Sequence, residues 1–278
     1  MTALASTPAS TVDTIGQSPR RREDRRFVTG QGAYLDDLRF DRLAQAVVLR
    51  SPHAHARIRS IDVEAARRAP GVLAVLTATE ATADGLKPFR PYAETNTQTG
   101  EPFAFAPQPL LAYDKVRFVG EPVALVVAET KAQALDAAEL IEVDYEALPA
   151  ITTAEAARAS DAPQLSAEIP ANTCLDWRTG DIAGADTAFA RAAHVVSLTL
   201  GNHRVVTNPM EPRGAVGSFD PATGRYTLHV SSQNIHINRT FVARSLGTDA
   251  KSVRFVARDV GGGFGAKNFA YVEHALIL

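Results

Sequence analysis

The sequence has a single cysteine, Cys174, among its 278 residues. A disulfide within the chain is therefore excluded, and an iron–sulfur cluster held by several cysteine thiolates cannot be built from this chain alone. Because no second thiol or cluster of metal ligands accompanies it, we interpret Cys174 as an inert, small hydrophobic residue.

The chain also lacks a strong net charge and long hydrophobic runs. Its formal net charge is −2 at pH 7, and it has no basic field or aromatic platform of the kind that holds nucleic acids, so no nucleic-acid partner is predicted. No run approaches the about 18 apolar residues that a membrane-spanning helix needs. The expectation is a cytoplasmic protein without a membrane partner.

The composition, with 45% hydrophobic and 22% charged residues, is typical of a globular protein. Residues 1–19 are rich in Ala, Ser and Thr and are predicted to be a disordered lead. Residues 20–147 alternate strands with short helices and form a first domain. Residues 148–170, rich in Ala, Ser and Pro, are predicted to be a linker, and residues 171–278 form a second unit. The predicted fold class is α+β.

Hydrophobic periodicity and turn residues predict the individual elements. Strands are expected at residues 43–50, 72–77, 120–128, 141–145, 194–200, 214–219, 225–230 and 251–260. Helices are expected at residues 63–69, 131–140, 183–192, 234–246 and 268–278. Thr130 and Gln133 have the spacing of a capping box at the start of one helix. Residues 81–108 are expected to be a long irregular loop.

Two pairs of possible metal ligands occur in the first domain. His53 and His55 would lie on one face of a strand, an arrangement that zinc can use. No cysteine or third histidine stands at ligand spacing, so an ordinary packed or surface pair is the favoured interpretation. Asp36 and Asp37 are interpreted as turn residues, because aspartate accepts hydrogen bonds from nearby backbone N–H groups.

The most unusual stretch is Asp259-Val-Gly-Gly-Gly-Phe-Gly-Ala-Lys267, between a strand-like and a helix-like run. Glycine permits positive φ and lets a ligand lie against the backbone. A Walker A loop is excluded because Ala266 precedes Lys267, and the dinucleotide fingerprint is one residue too short. Taken alone, the glycines favour a simple turn over a nucleotide site. However, Phe264 has little structural reason to stand there unless a ligand packs on it.

Six sequence blocks, in order, resemble a known family. They are Arg22-Glu-Asp-x-Arg26 to Gly30-x-Gly32-x-Tyr34-x-Asp36-Asp37, Arg50-Ser-Pro-His-Ala-His-Ala-Arg57, Val119-Gly-Glu-Pro-Val-Ala124, Asn208-Pro-Met-Glu-Pro-Arg213, Ser231-Ser-Gln233 and Gly261-Gly-Gly-Phe-Gly-Ala-Lys267. From about residue 20 onward, the chain resembles the N-terminal part of the molybdenum-binding large subunit of the xanthine dehydrogenase, aldehyde oxidase and carbon monoxide dehydrogenase superfamily.

The resemblance implies a hammerhead-type domain at residues 20–147, followed after the linker by the first part of a molybdopterin-binding domain. It implies that Gln233 hydrogen-bonds an oxygen ligand of the molybdenum. The loop residues Gly262, Gly263, Phe264 and Gly265 would lie against the cofactor, and Phe264 would also stack on the substrate. No residue of this chain is expected to ligate the metal directly.

The implied activity is a molybdenum-dependent oxidation: hydroxylation of a C–H carbon with oxygen from water, or oxidation of an aldehyde or CO. The implied cofactor is molybdenum with molybdopterin in its cytosine dinucleotide form. [2Fe-2S] clusters and FAD are expected on an iron–sulfur and an FAD partner subunit. The family's glutamate base lies downstream, so no catalytic residue is assigned here and a remaining molybdenum-subunit segment is needed. The alternative is a non-catalytic scaffold subunit of such a complex.

Three further residues have specific expectations. Purine-oxidising members of the family have Glu after the loop lysine, whereas Asn268 stands here, which disfavours xanthine and leaves the small-molecule substrate open. Glu211 and Arg213 are expected to form an ion pair that holds the turn beneath the cofactor loop. Lys267 is expected to anchor a loop carbonyl or a pterin group.

Overall fold

The computed structural model describes residues 15–91, 94–95 and 100–278. Most of the predicted disordered lead, residues 1–19, and part of the predicted irregular loop, residues 81–108, lie outside the described residues. No helix in the described part of the chain is long and apolar enough to cross a membrane.

The described residues contain nine strands, eight α-helices and three short 3-10 helices. The strands are β1 Gln45–Arg50, β2 Ala56–Asp62, β3 Val72–Leu76, β4 Lys115–Val116, β5 Pro122–Ala128, β6 Glu142–Ala147, β7 Ala215–Asp220, β8 Arg225–Val230 and β9 Val253–Val256. The helices are α1 Asp24–Val28, α2 Glu64–Arg67, α3 Ala78–Ala83, α4 Lys131–Glu139, α5 Ala154–Ala157, α6 Ile182–Arg191, α7 Ile235–Ser245 and α8 Val272–Leu276.

The first sheet has the order β1-β5-β3, with both pairings antiparallel. Its central strand β5 is buried at six of seven positions, which explains its unbroken apolar sequence. Helix α4 covers the sheet with the buried alanines Ala134, Ala137 and Ala138. The capping box predicted from Thr130 and Gln133 is present at the start of α4.

The second sheet has the order β4-β2-β6 and is also antiparallel. Strand β2 was not predicted, because its charged residues at positions 57, 59 and 62 obscure the apolar alternation. Its two buried apolar residues, Ala56 and Ile58, pack with Val116 and Val123.

The third sheet has the order β7-β8-β9. The predicted hairpin of β7 and β8 is antiparallel, with Ala215 opposite Val230. Strand β9 pairs parallel to β8, and the required crossover is made by α7, which is capped at its start by Asn234. Because β8 and β9 are parallel neighbours, the chain leaves both at the same edge of the sheet.

One hydrophobic core joins the two halves of the chain. It contains Leu111 and Leu125 from the first half and Leu228, Val242 and Val253 from the second. All five side chains are at most 4% exposed. The third sheet is thereby packed against the first half of the chain.

Two predicted elements differ from the structure. The strand expected at residues 194–200 is absent, and Val196 and Leu198 are 92% and 79% exposed. A strand requires a hydrogen-bonded neighbour, and no other described segment pairs with this one. The helix expected at residues 268–278 is reduced to the five residues of α8, because Tyr271 is extended (φ −110°, ψ 152°) and caps the helix instead of belonging to it.

The first domain also holds an unpredicted helix. Helix α3 overlaps the start of the stretch that was expected to be irregular. Its capping box, Thr77 with Glu80, is visible in the sequence and marks the helix start. The short length of the helix left too little apolar periodicity for a prediction.

Candidate cofactor site at the glycine loop

The site is built where β8 and β9 end. Gln233 follows β8 by three residues, and the glycine loop, residues 261–265, follows β9 by five. Since the two strands are parallel neighbours, their extensions meet at one edge of the third sheet. Sequence analysis predicted both Gln233 and the loop as site residues, and the structure brings them into contact.

The loop has the backbone conformation that its glycines allow. Gly262 and Gly265 have φ of 94° and 87°, and Phe264 between them has φ of 51°. A Cβ on Gly263 would lie 2.3 Å from Cδ of Gln233, so the amide occupies the space of a side chain. A Cβ on Gly265 would meet nothing within 4 Å. The loop therefore presents bare backbone to open space at Gly265.

The side-chain amide of Gln233 is held in one orientation. Its Oε1 accepts hydrogen bonds from the backbone N–H groups of Gly265 at 3.0 Å and Lys267 at 3.3 Å. The backbone N–H of Gln233 donates to the carbonyl of Lys267 at 2.9 Å. Among the described residues, no acceptor is found for Nε2. The amide thus offers a neutral hydrogen-bond donor on its open side.

Two aromatic side chains lie on the surface near the site, one within the loop and one four residues after it. Phe264 is 71% exposed, and its ring carbon Cε2 lies 3.0 Å from the position of a Cβ on Gly262. Phe269 is 66% exposed and was missed in the sequence, since a lone aromatic after the motif gives no distinct signal. Exposed rings beside a bare backbone can stack on a flat ligand.

Lys267, two residues after the loop, is anchored to Glu211 by its side chain. Its side chain is fully buried, and Nζ donates to the backbone carbonyl of Glu211 at 2.6 Å and to the carboxylate Oε2 at 3.2 Å. Lys267 does bind a backbone carbonyl, but that carbonyl belongs to Glu211 and not, as predicted, to the glycine loop or a pterin group. The predicted Glu211–Arg213 ion pair is wrong: the Arg213 guanidinium lies over the ring of Tyr271, 3.7 Å from its centroid, while Glu211 pairs with Lys267.

The N-terminal segment fixes the other end of the loop. Arg26 binds both carboxylate oxygens of Asp259, one of them at 2.7 Å, and the N–H of Ala33 donates to the same carboxylate at 2.7 Å. Arg26 and these donors hold the pKa of Asp259 at about 2. Within the same segment Arg21 pairs locally with Asp24, whereas the partner of Arg26 is 233 residues away in the sequence.

Comparison with known proteins decides the family. Residues 29–149 match the model for the a/b hammerhead domain of aldehyde oxidase and xanthine dehydrogenase, and residues 165–278 match the model for a molybdopterin cofactor-binding domain. The chain belongs to the aldehyde oxidase and xanthine dehydrogenase family. The resemblance inferred from the six sequence blocks is thereby confirmed.

Several family members resemble the chain over most of its length. The carbon monoxide dehydrogenase large chain of Afipia carboxidovorans is 38% identical over 92% of this chain and 32% of its own length. The nicotine 6-hydroxylase large subunit of Paenarthrobacter nicotinovorans is 36% identical over 97% of this chain and 32% of its own length. The crystal structure of quinoline 2-oxidoreductase from Pseudomonas putida 86 superimposes with a TM-score of 0.78 at 38% identity, covering 94% of this chain and 32% of that chain. The chain thus spans about a third of the relatives' length.

Family membership points to molybdopterin with molybdenum as the cofactor. The loop fits such a group, because an oxygen-rich metal centre can approach a backbone without side chains at Gly265 and accept a hydrogen bond from Gln233 Nε2. Among the described residues, no group of three or more His, Cys, Asp or Glu side chains is placed to hold a metal ion.

The remaining candidate residues have structural roles. The Nδ1 atom of His55 lies 2.7 Å from the carbonyl oxygen of Pro149, and the His53 ring packs on Tyr145 with 4.8 Å between centroids. The ordinary histidine pair favoured from sequence is therefore correct. Asp37 accepts a hydrogen bond from the N–H of Tyr34 at 3.0 Å, as expected for turn chemistry. Cys174, interpreted as a small hydrophobic residue, is exposed.

Proposed function

We propose that this chain is a portion of the catalytic subunit of a molybdenum hydroxylase and supplies one wall of its active site. The observation that carries the proposal is the fixed amide of Gln233, whose oxygen is held by the loop and whose Nε2 is open. This donor stands beside the backbone of Gly262, Gly263 and Gly265 and the exposed ring of Phe264. These residues are the proposed cofactor-binding set.

Each residue has a distinct task. When bound, the molybdenum cofactor supplies the redox chemistry that hydroxylates a C–H carbon with oxygen from water, or oxidises an aldehyde or CO. Gln233 donates a hydrogen bond to an oxygen of that group without adding charge. The glycines allow close approach of the backbone, and Phe264 orients a flat substrate.

Among the described residues, the two acidic side chains nearest the loop, Glu211 and Asp259, are both held by hydrogen bonds and are not assigned as a general base. The Glu211 carboxylate accepts hydrogen bonds from four donors, and Asp259 is held ionised by Arg26. We propose that the base and the rest of the pterin site belong to a further molybdenum-subunit segment. The proposed complex also has an iron–sulfur subunit with [2Fe-2S] clusters and an FAD subunit, and its pterin is the cytosine dinucleotide.

The residue after the loop bears on substrate class. Asn268 is exposed and neutral, so it can form hydrogen bonds with a small substrate but offers no carboxylate to a purine ring. Of the three relatives described above, one is named for CO and two for the nitrogen heterocycles nicotine and quinoline, whereas two relatives named as xanthine dehydrogenases are 30% identical. We propose a small non-purine substrate for this chain.

The decisive experiment purifies the native complex from the cytoplasm, where we propose it resides. It determines the intact mass of the polypeptide that carries this sequence and the molybdenum content. Molybdenum in stoichiometric amount is expected. A complex without molybdenum would refute the proposal and would favour the alternative, a non-catalytic scaffold subunit.

Variants then test the site itself. Gln233→Ala is expected to lower turnover about a hundredfold at unchanged molybdenum content, which is the typical cost of removing one preorganised donor. Phe264→Ala is expected to raise KM. Phe189→Ala, a change at a similarly exposed phenylalanine on α6, is the matched control. Unchanged kinetics in both site variants would favour the scaffold.

A further inference from the structure

The Glu211 carboxylate is a junction of four chain segments. Its Oε1 accepts from the N–H of Leu35 at 3.0 Å. Its Oε2 accepts from Ser231 Oγ at 2.5 Å, from the N–H of Gly261 at 2.7 Å and from Lys267 Nζ at 3.2 Å. One side chain therefore joins the N-terminal segment, the end of β8 and both ends of the glycine loop.

The contact with the loop is close and reciprocal. The N–H of Glu211 donates to the carbonyl of Gly261 at 3.1 Å, while the N–H of Gly261 donates to the carboxylate. A Cβ on Gly261 would lie 2.5 Å from Cβ of Glu211. The first glycine of the loop is therefore required by its contact with Glu211.

Lys267 is hydrogen-bonded to both Glu211 and Gln233 and so links the two residues. Its Nζ binds the carbonyl and the carboxylate of Glu211. Its own backbone exchanges two hydrogen bonds with Gln233, from the Gln233 N–H to its carbonyl and from its N–H to Gln233 Oε1. Glu211 and Gln233 are thus connected through a single residue whose side chain is buried.

The carboxylate is ionised in this setting. Burial raises the pKa of Glu211, but the hydrogen bonds from Ser231, Gly261, Leu35 and Lys267 outweigh it and lower the pKa below its usual range. Three of the four donors point at Oε2 and one points at Oε1, so the carboxylate is used to hold its neighbours in place.

We propose that Glu211 is the positioning residue of the glycine loop, setting the backbone at Gly261 directly and the amide of Gln233 through Lys267. This role rests on the proposed function of the loop as the wall that meets the cofactor. A carboxylate is needed there because an amide has only one acceptor oxygen for four donors. Aspartate keeps the charge but is one methylene shorter, so it restores part of the arrangement.

The test compares Glu211→Gln, Glu211→Asp and the control Glu129→Gln in the native complex. Glu129 is exposed and directly follows β5 in the first sheet. Hydrogen exchange followed by mass spectrometry reads the peptides that contain residues 259–268 and 233. In Glu211→Gln we expect at least about tenfold faster exchange in both peptides, as local opening becomes easier. Peptides from β5 and α4 should exchange at the wild-type rate, and Glu211→Asp should restore part of the protection.

Kinetics and a second variant keep the test decisive. Glu211→Gln should lower kcat more than it raises KM, because a misplaced Gln233 donor affects the reacting group more than substrate binding. If Glu211→Gln fails to fold, Ser231→Ala removes one donor only and should give the same exchange pattern, more weakly. Wild-type protection of the loop in the folded variants would overturn the proposal. Absence of molybdenum from the wild-type complex would overturn the proposed function but leave the exchange result interpretable.

Discussion

Replacing Lys267 with methionine is the sharpest test of how the loop is held. Methionine keeps most of the apolar volume but removes the ammonium, so Nζ no longer binds the carbonyl and carboxylate of Glu211. Removing one partner of a buried ion pair typically costs about 3–5 kcal/mol. Here the carboxylate keeps three other donors and its side chain is 11% exposed, so we expect a loss of about 2–3 kcal/mol.

The assay is thermal unfolding of the complex followed by circular dichroism or calorimetry. A loss of this size corresponds to a decrease in Tm of roughly 3–5 °C for a chain of this length. Combining Lys267→Met with Glu211→Gln removes both charges of this ion pair. The double variant should therefore lose less stability than the sum of the two single variants, with a coupling of about 1–2 kcal/mol.

Two results would refute this reasoning. An unchanged Tm in Lys267→Met would mean that the ammonium contributes nothing despite its burial. Strict additivity in the double variant would mean that Glu211 and Lys267 do not interact energetically, whatever the distance between them. Lys131→Met, at an exposed position in the first turn of α4, provides the control for the loss of a lysine charge.

Three further predictions follow from the same contacts. The pKa of Asp259 is lowered from 3.8 to about 2, mainly by the hydrogen bonds from Arg26. The stabilisation by the ionised carboxylate is therefore complete above pH 4 and is lost as the pH falls towards 2. The Asp259→Asn variant should lack this pH dependence when its acid unfolding is measured. Gly263→Ala should displace Gln233, whose Cδ lies 2.3 Å from the new Cβ, and turnover should fall while β-sheet circular dichroism is kept. Thr130→Ala removes the N-cap of α4 and should cost about 1 kcal/mol in urea unfolding.

The elements that depend on local sequence were predictable. The apolar run of β5, the β7–β8 hairpin and the capping box of α4 are encoded in residues that are neighbours in the chain. The glycine loop was also recognisable, because glycines that permit positive φ and one exposed phenylalanine leave a pattern in the sequence. Gln233 was found only through the family resemblance, since a lone glutamine carries no pattern of its own.

The contacts that hold the loop were not predictable. Lys267 and Glu211 are separated by 56 residues, and Arg26 and Asp259 by 233. Hydrophobic periodicity reports which face of an element is buried but not which distant charge it meets. For that reason Arg213, the nearest cation in the sequence, was wrongly assigned to Glu211.

The structure shows why the motif includes more glycines than ligand contact alone requires. Gly261 is needed because Glu211 lies against it, and Gly263 because the amide of Gln233 fills its side-chain space. Only Gly265 combines a positive φ with open space around its missing Cβ. Of the four loop glycines, Gly261 and Gly263 pack on Glu211 and Gln233, Gly262 packs on Phe264 and Pro209, and Gly265 is bare. Substitutions at Gly261 and Gly263 should act through Glu211 and Gln233, whereas a substitution at Gly265 should act through backbone strain and through whatever occupies the open side.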